Sequence, residues 1–482
     1  MDTTVKTRMA PSPTGEFHIG GLRTLLYNYA WAKKNKGKFL LRIEDTDRNR
    51  FVAGASDRIM EVVKDFNLSW DEGPFYQSER LNIYQEYIQR LVSENKAYLC
   101  FCEESRLDEL RKKAQDNNLT FRYDKRCLSL NQNEVKKKID DGEKYVVRLN
   151  VPQNGEVNFY DLVLGELSFK LSEIDDAVLI KSDGYPTYHF AVVVDDYLMG
   201  INYVIRGREW LSSTPKHVLL YDFFGFKRPN FAHLPVLKGM GSNKKLSKRD
   251  GSVFAIDFLR NGYLPEAILN YIMFLGWNPG TEKEIYNLEE FIDDFSLERV
   301  QTAEMSTFDT EKLDWYSSQY FIKMSNIDFL NSLKDWKSKF NHVCSIDEIE
   351  SRYSPEKVLL IIHQIKDRVV VFKEFDDYVK YFLSGPLLDS TILGKYSDKS
   401  KEVLIFFRDL IDGVQSEDFN FEYLNDYLHN EVKLNNFSMK EYFMTLRIAI
   451  TGEVVTPPII DIIHILGKDE SLNRLDKAIS KL

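Results

Sequence analysis

The sequence predicts an α/β protein with a doubly wound nucleotide-binding domain near its N-terminus and a helical C-terminal part. A strand pattern at 5–9, an apolar helical face over 19–29 and a second strand pattern at 39–43 form one βαβ unit. Strand and helix patterns alternate again over 177–226. From Asn326 onward, amphipathic helix patterns follow one another without sustained alternation. These observations predict a Rossmann-type domain ahead of an all-α region.

Length and charge limit the classes of protein that fit. The chain has 482 residues, with 64 Lys and Arg against 74 Asp and Glu, giving a net charge of −10. Such a length predicts three or more domains. The acidic balance means that any nucleic-acid surface must be a local basic patch. Apolar runs such as 358–362 are too short to cross a bilayer. The four cysteines and polar N-terminus predict a reduced, cytoplasmic setting.

The segment 9–21, MAPSPTGEFHIGG, joins the first strand to the first helix. Pro11, Pro13 and Gly15 exclude both helix and sheet and predict a loop. His18 lies where the loop meets the helix, and the free N–H groups of a helix N-terminus favour a phosphate there. A histidine at this position can add a donor to a nucleotide's phosphates. The alternative is a Pro/Gly loop before a core helix, with a surface histidine.

Charged residues also follow two strand patterns. RIEDTDRNR, at 42–50, follows the second strand, and Arg206 ends a later one. Ligand contacts in a doubly wound sheet lie at the carboxyl ends of its strands. The guanidinium groups of Arg8 and Arg206 can therefore project into one crevice and hold a carboxylate. The alternatives are helix capping by the charges of 42–50 and pairing of either arginine with a local carboxylate.

A basic string, GSNKKLSKRDG, occupies 241–251. Attack on the α-phosphate of ATP builds charge on the leaving pyrophosphate, and ammonium groups on a mobile loop can clamp that charge. The alternative is a basic surface loop. A histidine string near the N-terminus and KLSKR more than 200 residues later rarely coincide, so the pair favours nucleotide chemistry.

Together these strings resemble those of class I aminoacyl-tRNA synthetases, and PSPTG is similar to the glutamyl form. The resemblance covers residues 5–480 and is specific at PSPTGEFHIGG, RIEDTD, DEGPFYQSER, SDGYPTYHF and KLSKR. Gly21 stands where the family commonly has His, and Val192 where it often has Asn. The resemblance implies a bacterial-type glutamyl-tRNA synthetase, whose C-terminal part is helical.

The resemblance also implies a division of the chain into five parts. Residues 1–80 and 189–253 are the two halves of the Rossmann-type catalytic domain. Residues 81–188 form an inserted acceptor-binding domain. Residues 254–325 form a helical stem-contact region, and residues 326–482 form an all-α anticodon-binding domain.

The site residues implied by the resemblance fall into four groups. The catalytic residues are His18, Lys245 and Lys248. The ATP-binding residues are Pro11, Thr14, Gly15, His18, Gly20, Gly21, Glu209, Trp210, Leu246, Ser247, Lys248 and Arg249. The glutamate-binding residues are Arg8, Ala10, Ser12, Glu44, Tyr188 and Arg206. Arg368 falls on a predicted helix over 355–381 that contacts the anticodon in the family, although a solvated helix charge explains it equally well.

Three cysteines follow the spacing of a structural zinc site that occurs in the family. They are Cys100, Cys102 and Cys127. The fourth ligand position is Ser129, a poor ligand, and structural zinc requires four donors. Tyr123 or Asp124 could reach the site. The incomplete donor set favours reduced, metal-free cysteines.

The implied substrates are L-glutamate, ATP with Mg²⁺ and tRNA(Glu), handled by a monomer with no membrane partner. The sequence leaves open whether tRNA(Gln) is also charged. A truncated enzyme that glutamylates a modified base would lack the C-terminal helices, and a glutaminyl enzyme would have a β-rich end. A non-catalytic tRNA-binding protein would have lost Lys245 and Lys248, which are present.

Overall fold

The computed structural model describes residues 4–118, 120–247, 253–388, 390–394 and 398–482. Its contacts divide the chain into two compact units. The α/β unit comprises Met1–Phe258 and Ile268–Thr310, and the helical unit comprises Leu259–Ala267 and Glu311–Leu482. None of the described helices is long and apolar enough to span a membrane.

The strands in the described part of the chain all belong to the α/β unit. They are β1 Lys6–Met9, β2 Lys38–Ile43, β3 Glu72–Tyr76, β4 Ala97–Cys100, β5 Val146–Leu149, β6 Glu156–Asp161, β7 Gly165–Lys170, β8 Val178–Ile180, β9 Tyr203–Gly207, β10 Asn230–Leu234, β11 Val236–Gly239 and β12 Met305–Phe308.

The helices occur in both units. The first ten are α1 Ile19–Lys34, α2 Ala55–Asp65, α3 Leu81–Ser93, α4 Glu104–Asp116, α5 Gln132–Asp140, α6 Tyr188–Leu198, α7 Thr214–Phe224, α8 Ala255–Asn261, α9 Pro265–Met273 and α10 Leu288–Asp294. The others are α11 Thr310–Lys323, α12 Asn326–Phe340, α13 Ile346–Arg352, α14 Pro355–Ile365, α15 Phe375–Leu383, α16 Ser390–Leu393, α17 Ser400–Gly413, α18 Phe421–Leu434, α19 Met439–Thr451, α20 Ile459–Leu466 and α21 Lys468–Ile479.

Two parallel sheet segments meet at β1 and β9. One has the order β1-β2-β3, and the other has the order β9-β10-β6 with β7 added antiparallel to β6. The backbone N–H of Asn202 donates to the carbonyl oxygen of Lys6 at 3.2 Å, so β9 starts beside β1. The chain first adds β2 and β3 on one side of β1, and it later adds β6, β9 and β10 on the other side. In doubly wound folds, ligands bind at such a reversal of strand order.

The predicted βαβ unit is confirmed as β1-α1-β2. The buried face of α1 includes Leu22, Leu25 and Leu26, which lie on one side of a 3.6-residue period. Only a glycine fits at position 37, because a Cβ there would lie 2.0 Å from the carbonyl oxygen of Val5. Close approach of that turn to β1 therefore closes the unit.

The segment between the sheet halves forms its own small sheet. Its order is β4-β5-β8, and all of its pairs are antiparallel. The apolar pattern at 144–151 forms β5, and the first strand of the alternating patterns predicted over 177–226 is β8. The hairpin β6–β7 instead joins the main sheet, because Phe231 of β10 pairs with Asp161 of β6.

The helical unit shows helices and no strand among its described residues. The predicted single helix over 355–381 is wrong: α14 ends at Ile365 and α15 begins at Phe375. The intervening backbone bonds to other segments, since the Ser317 hydroxyl donates to the Val370 carbonyl at 2.6 Å and Phe372 N–H donates to the Gly262 carbonyl at 3.1 Å. Because these groups are satisfied elsewhere, they cannot continue one helix.

Candidate active site

A cavity of about 460 Å³ lies at the carboxyl ends of β1 and β9. Twelve of the predicted site residues line it: Arg8, Ala10, Ser12, His18, Gly20, Gly21, Glu44, Tyr188, Arg206, Glu209, Trp210 and Lys245. The predicted residues that do not line it are Pro11, Thr14, Gly15, Leu246 and Ser247. Lys248 and Arg249 lie outside the described residues. The structure thus brings six separate segments of the chain to one cavity.

His18 is the N-cap of α1. Its Nδ1 accepts a hydrogen bond from the backbone N–H of Gly20 at 3.0 Å. Nδ1 therefore carries no proton, and the neutral ring carries it on Nε2. Burial and the nearby ammonium of Lys245 lower the pKa of His18, so the ring stays neutral near pH 7. The Nε2–H donor thereby lies at the N-terminus of α1, where the helix dipole favours a phosphate.

The glycine at position 21 has a packing reason. A Cβ there would lie 2.9 Å from Cε2 of Phe17. A histidine at this position would require the Phe17 ring to move. Val192, the second departure from the family pattern, is buried in the apolar core around α6 and does not line the cavity.

The KLSKR string begins beside His18. Lys245 pairs with Glu209 at 2.7 Å, and the backbone N–H of Leu246 donates to the Leu237 carbonyl at 2.7 Å. On the other side of the undescribed residues, the Val253 carbonyl accepts from the N–H of Ile19 at 2.8 Å. Both flanks of the string are therefore fixed near the N-terminus of α1.

A buried ion network surrounds Arg8. Its Nε lies 3.2 Å from Asp196 Oδ1, which also lies 2.8 Å from Nη1 of Arg42. Arg42 Nη2 lies 3.2 Å from Glu44 Oε1. The terminal nitrogens of Arg8 form no hydrogen bond with residues in the described part of the chain. Arg8 thus has a local carboxylate partner, Asp196, and still presents donors to the cavity.

Glu44 has an altered pKa in this network. Burial raises the pKa of its carboxyl to about 7, although Arg42 and Arg8 oppose the shift. A buried carboxylate has lost most of its hydration. A cationic ligand that binds beside it therefore stabilises its ionised form.

The DEGPFYQSER string and the start of α3, which follows it, hold a second carboxylate close to the site. The side chains of Gln77, Arg80 and Tyr84 all donate to the carboxylate of Asp195, at 2.9, 2.8 and 2.7 Å. Asp195 lies on α6, next to Asp196. The string therefore fixes the helix that holds the partner of Arg8.

Arg206 has a different environment from Arg8. The atoms around its guanidinium are His233 Nε2 at 3.2 Å, Tyr188 Oη at 3.1 Å, His217 Nδ1 at 3.1 Å and Thr214 Oγ1 at 2.8 Å. All four are neutral acceptors, and Arg206 forms no ion pair with a carboxylate among the described residues. The Tyr188 ring also packs against Trp210, with centroids 4.3 Å apart. Arg206 is a buried cation that the protein holds without neutralising it.

Sequence reasoning missed several residues of this environment. They are Arg42, Asp161, Asp196, Thr214, His217 and His233. Arg42 begins the RIEDTDRNR string but was not assigned a role. No motif spacing identifies the other five, because β6, α6, α7 and β10 bring them together only in the folded chain. For these five, the one available signal was the position of His233 near the end of a strand.

The three cysteines converge in the small sheet region. The sulfur atoms of Cys100, Cys102 and Cys127 all lie within 4.8 Å of one another. Tyr123 Oη lies 3.3 Å from Cys100 Sγ and 3.2 Å from Cys102 Sγ. The Ser129 hydroxyl instead donates to the Arg126 carbonyl. The structure therefore places a phenol oxygen, rather than the Ser129 hydroxyl, beside the three thiols.

The sequence predicted that Arg368 lies on a helix, and this prediction is wrong. It lies in the exposed turn after α14, which ends at Ile365. Its N–H donates to the Ile365 carbonyl at 2.8 Å. The helix ends here because Lys366 turns inward and donates to the Ile322 carbonyl at 2.8 Å.

Family comparisons agree with this architecture. The family described as "tRNA synthetases class I (E and Q), catalytic domain" matches residues 4–315. An anticodon-binding domain family matches residues 328–479. The chain thus contains a class I synthetase catalytic domain followed by an anticodon-binding domain.

Individual relatives narrow the class. The chain is 41% identical to the glutamate–tRNA ligase of Finegoldia magna, covering 99% of both chains, and 39% identical to that of Clostridioides difficile, covering 98% of both. A crystal structure of the Elizabethkingia meningosepticum glutamate tRNA ligase in complex with its amino acid aligns with a TM-score of 0.89 at 35% identity, covering 99% of this chain and 100% of that one. The chain belongs to the glutamate–tRNA ligase family, and the family predicted from sequence is confirmed.

Proposed function

We propose that this protein forms glutamyl-adenylate from L-glutamate and ATP in the cavity, and then transfers glutamate to the 3′ end of tRNA(Glu). The observation that carries the proposal is the convergence of Arg206, Glu44 and His18 on one cavity. These groups suit the side-chain carboxylate of glutamate, its ammonium group and the phosphates of ATP. The family membership supports the same reaction.

The substrate lies between the two sheet halves in this proposal. Arg206 and the terminal nitrogens of Arg8 bind the side-chain carboxylate, and Glu44 binds the ammonium group. Tyr188 closes the pocket over the side chain, while Ala10 and Ser12 lie along the backbone of the substrate. The α-carboxylate then points toward the N-terminus of α1, where the phosphates bind.

ATP occupies the other end of the cavity. Trp210 and Glu209 lie beside the nucleoside, and Gly20 and Gly21 allow close approach of the phosphates. His18 donates its Nε2–H to a phosphate oxygen. Mg²⁺ accompanies ATP as part of the substrate complex. The remaining predicted ATP contacts, including those at 248 and 249, stay predictions.

The chemistry requires no protein nucleophile. An oxygen of the substrate α-carboxylate attacks the α-phosphorus of ATP, and the bond to pyrophosphate breaks. A ribose hydroxyl at the tRNA 3′ end then attacks the carbonyl carbon and releases AMP. Lys245 and Lys248 stabilise the charge that grows on pyrophosphate, so catalysis consists of positioning and charge stabilisation.

Partners and location follow from the reaction. The tRNA acceptor arm contacts the inserted segment 81–188, and the stem contacts 254–325. The anticodon arm contacts 326–482, where Arg368 is a candidate contact. The enzyme works in the cytoplasm as a monomer.

Zinc at the cysteine cluster would have a structural role. Cys100, Cys102, Cys127 and Tyr123 would hold it, and it would tie β4 to the turn at 126–129. The nearby guanidinium of Arg148, 4.2 Å from the ring centroid of Tyr123, would offset the negative charge of the ligands.

An aminoacylation assay tests the proposed function. Purified protein is incubated with ATP, Mg²⁺, radiolabelled glutamate and tRNA(Glu), with tRNA(Gln) and glutamine in parallel reactions. We expect ATP-dependent formation of glutamyl-tRNA(Glu) and release of AMP and pyrophosphate. Preferential charging with glutamine would contradict the proposal. The absence of tRNA charging by correctly folded protein would also contradict it.

A further inference from the structure

The neutral acceptors around Arg206 are themselves held by a second layer of residues. His233 lies opposite Arg206 in the parallel pair β9–β10, so both side chains point to the same face of the sheet. Behind His233, its Nδ1 lies 2.6 Å from Oδ2 of Asp161 at the end of β6. Both Asp161 and His233 are fully buried, and neither lines the cavity.

The partners of each ring fix the proton positions. Arg206 can only donate and the carboxylate of Asp161 can only accept. His233 therefore donates from Nδ1 to Asp161 and accepts at Nε2 from Nε of Arg206. His217 accepts from Arg206 at Nδ1, so its proton lies on Nε2, 3.1 Å from Nδ1 of His189. Burial lowers the pKa of both His217 and His233, so the rings remain neutral acceptors.

The ring of His233 separates the charge of Arg206 from that of Asp161. Asp196 contacts Arg8 directly and compensates its charge. Asp161 does not contact Arg206, because the ring of His233 lies between them. The guanidinium is thus fixed in direction while its charge stays available. A fixed and uncompensated cation attracts a carboxylate much more strongly than a neutral amide.

We propose that Asp161 and His233 are a positioning pair for substrate selection: they orient Arg206 through an uncharged ring, so that Arg206 prefers the side-chain carboxylate of glutamate over the amide of glutamine. The inference rests on the proposed function and adds two residues that touch neither substrate. Their effect on the substrate is exerted through Arg206.

The substitution Asp161→Asn tests the pair with little change in volume. Asp161 Oδ1 accepts from the backbone N–H groups of Val163 and Leu164, at 3.0 Å each. The single oxygen of an amide is needed there, so its NH₂ group faces His233 Nδ1. The ring proton must then move to Nε2, where it opposes the Nε–H of Arg206. We expect KM for glutamate to rise roughly tenfold or more, and the glutamate-to-glutamine ratio of kcat/KM to fall similarly.

A pair of substitutions at His233 separates positioning from packing. The side-chain oxygen in His233→Gln can reach the place of Nε2 and accept from Arg206, but it loses the contact with Asp161. The amide in His233→Asn can donate to Asp161 from the place of Nδ1, but it cannot reach Arg206. We expect His233→Gln to retain more selectivity for glutamate than His233→Asn. A merely structural role predicts the opposite order or no difference.

Matched controls and the unmodified protein complete the test. Asp176→Asn removes another buried carboxylate, one that accepts from Tyr98 and Lys125 in the small sheet region. This control is expected to keep the selectivity ratio and KM for glutamate. In all variants KM for ATP and the melting curve are measured beside the two amino-acid ratios.

The outcomes distinguish this inference from the proposed function. Failure of the unmodified protein to use glutamate would overturn the proposed function itself. Active glutamate charging with unchanged KM and ratio in Asp161→Asn would overturn only the positioning pair. If Asp161→Asn does not fold, the two His233 variants decide: equal ratios would contradict the inference, and higher selectivity in His233→Gln would support it.

Discussion

Lys245 is held in place before any substrate is present. Its ammonium lies 2.7 Å from Glu209, although more than half of the lysine side chain is exposed. A pair this exposed contributes little to stability, since water and salt screen it. Lys245 can therefore leave Glu209 for a phosphate at small cost. The pair is best understood as a resting position beside the cavity.

Removal of Lys245 should affect chemistry more than binding. Lys245→Ala is expected to lower kcat for adenylate formation by roughly a hundredfold, the scale of losing one electrostatic stabiliser of a transition state. The measurement is glutamate-dependent pyrophosphate exchange in the presence of tRNA. Lys244→Ala, the exposed neighbour, serves as the control and should retain nearly full activity. Equal rates in the two variants would remove Lys245 from the mechanism.

Glu44 should give the reaction a pH dependence near neutrality. Its pKa is raised to about 7, so the carboxylate is ionised above that pH and protonated below it. The protonated form loses its attraction for the substrate ammonium. We therefore expect kcat/KM for glutamate to fall several-fold between pH 8 and pH 6. Burial and the ammonium of Lys245 lower the pKa of His18, which moves its own titration to lower pH.

Glu44→Gln provides the matched test of that assignment. The variant should bind glutamate weakly at every pH, and its kcat/KM should show a flatter profile over the same range. Steady-state kinetics with saturating ATP measures both profiles. A profile in Glu44→Gln as steep as that of the unmodified protein would assign the titration to another group.

Elements with a strong local pattern were predictable from the sequence. The strand–helix–strand start was located to within one residue, because β1, α1 and β2 each carry the apolar period of their own element. Prolines and a glycine predicted the loop at 10–15, from which Ala10 and Ser12 line the cavity. Strand ends predicted that Arg8 and Arg206 share one crevice. The other predicted residues that line the cavity came from the family resemblance.

Features that depend on distant contacts were not predictable. The helical period continues through 366–374, yet hydrogen bonds from Ser317 and to Gly262 interrupt the helix. The role of Asp195 as an acceptor for the DEGPFYQSER string arises only after α3 packs beside α6. The residues around and behind Arg206 come from four elements, α6, α7, β6 and β10, so no local spacing marks them.

The cysteine cluster allows a test at the level of one element. If the thiols and Tyr123 hold zinc, elemental analysis of purified protein should find about one zinc per chain. Cys102→Ser should remove the metal and lower the melting temperature of the α/β unit. Cys344→Ser changes a buried cysteine of the helical unit and should keep the zinc. Protein that contains no zinc after purification without chelators would favour metal-free thiols.

The chain consists of an α/β unit that holds the cavity and a helical unit that adds surface outside it. The α/β unit contains every described residue of the cavity, whereas the helical unit has its own apolar core around Phe372 and Ile450. The separate cores explain why the family models match the two parts separately. Contacts with tRNA beyond the cavity can thus be altered without changing the chemical site.

Substitution of Arg368 in the full chain tests whether the helical unit contacts tRNA. If its guanidinium binds a tRNA phosphate, Arg368→Ala should weaken tRNA binding and reduce the slope of log K against log salt by about 1. KM for glutamate should stay unchanged. Lys433→Ala removes an exposed charge from α18 as a control. Identical affinities and salt slopes in Arg368→Ala and the unmodified protein would exclude Arg368 as a contact.

The central claim is that the cavity between β1 and β9 holds glutamyl-adenylate. A crystal structure with a non-hydrolysable glutamyl-adenylate analogue measures this directly. We expect the side-chain carboxylate about 2.7–3.2 Å from a terminal nitrogen of Arg206, and a phosphate oxygen at a similar distance from His18 Nε2. The ammonium group should lie against Glu44. An analogue bound outside the cavity, or bound inside with its side-chain carboxylate away from Arg206, would contradict the account.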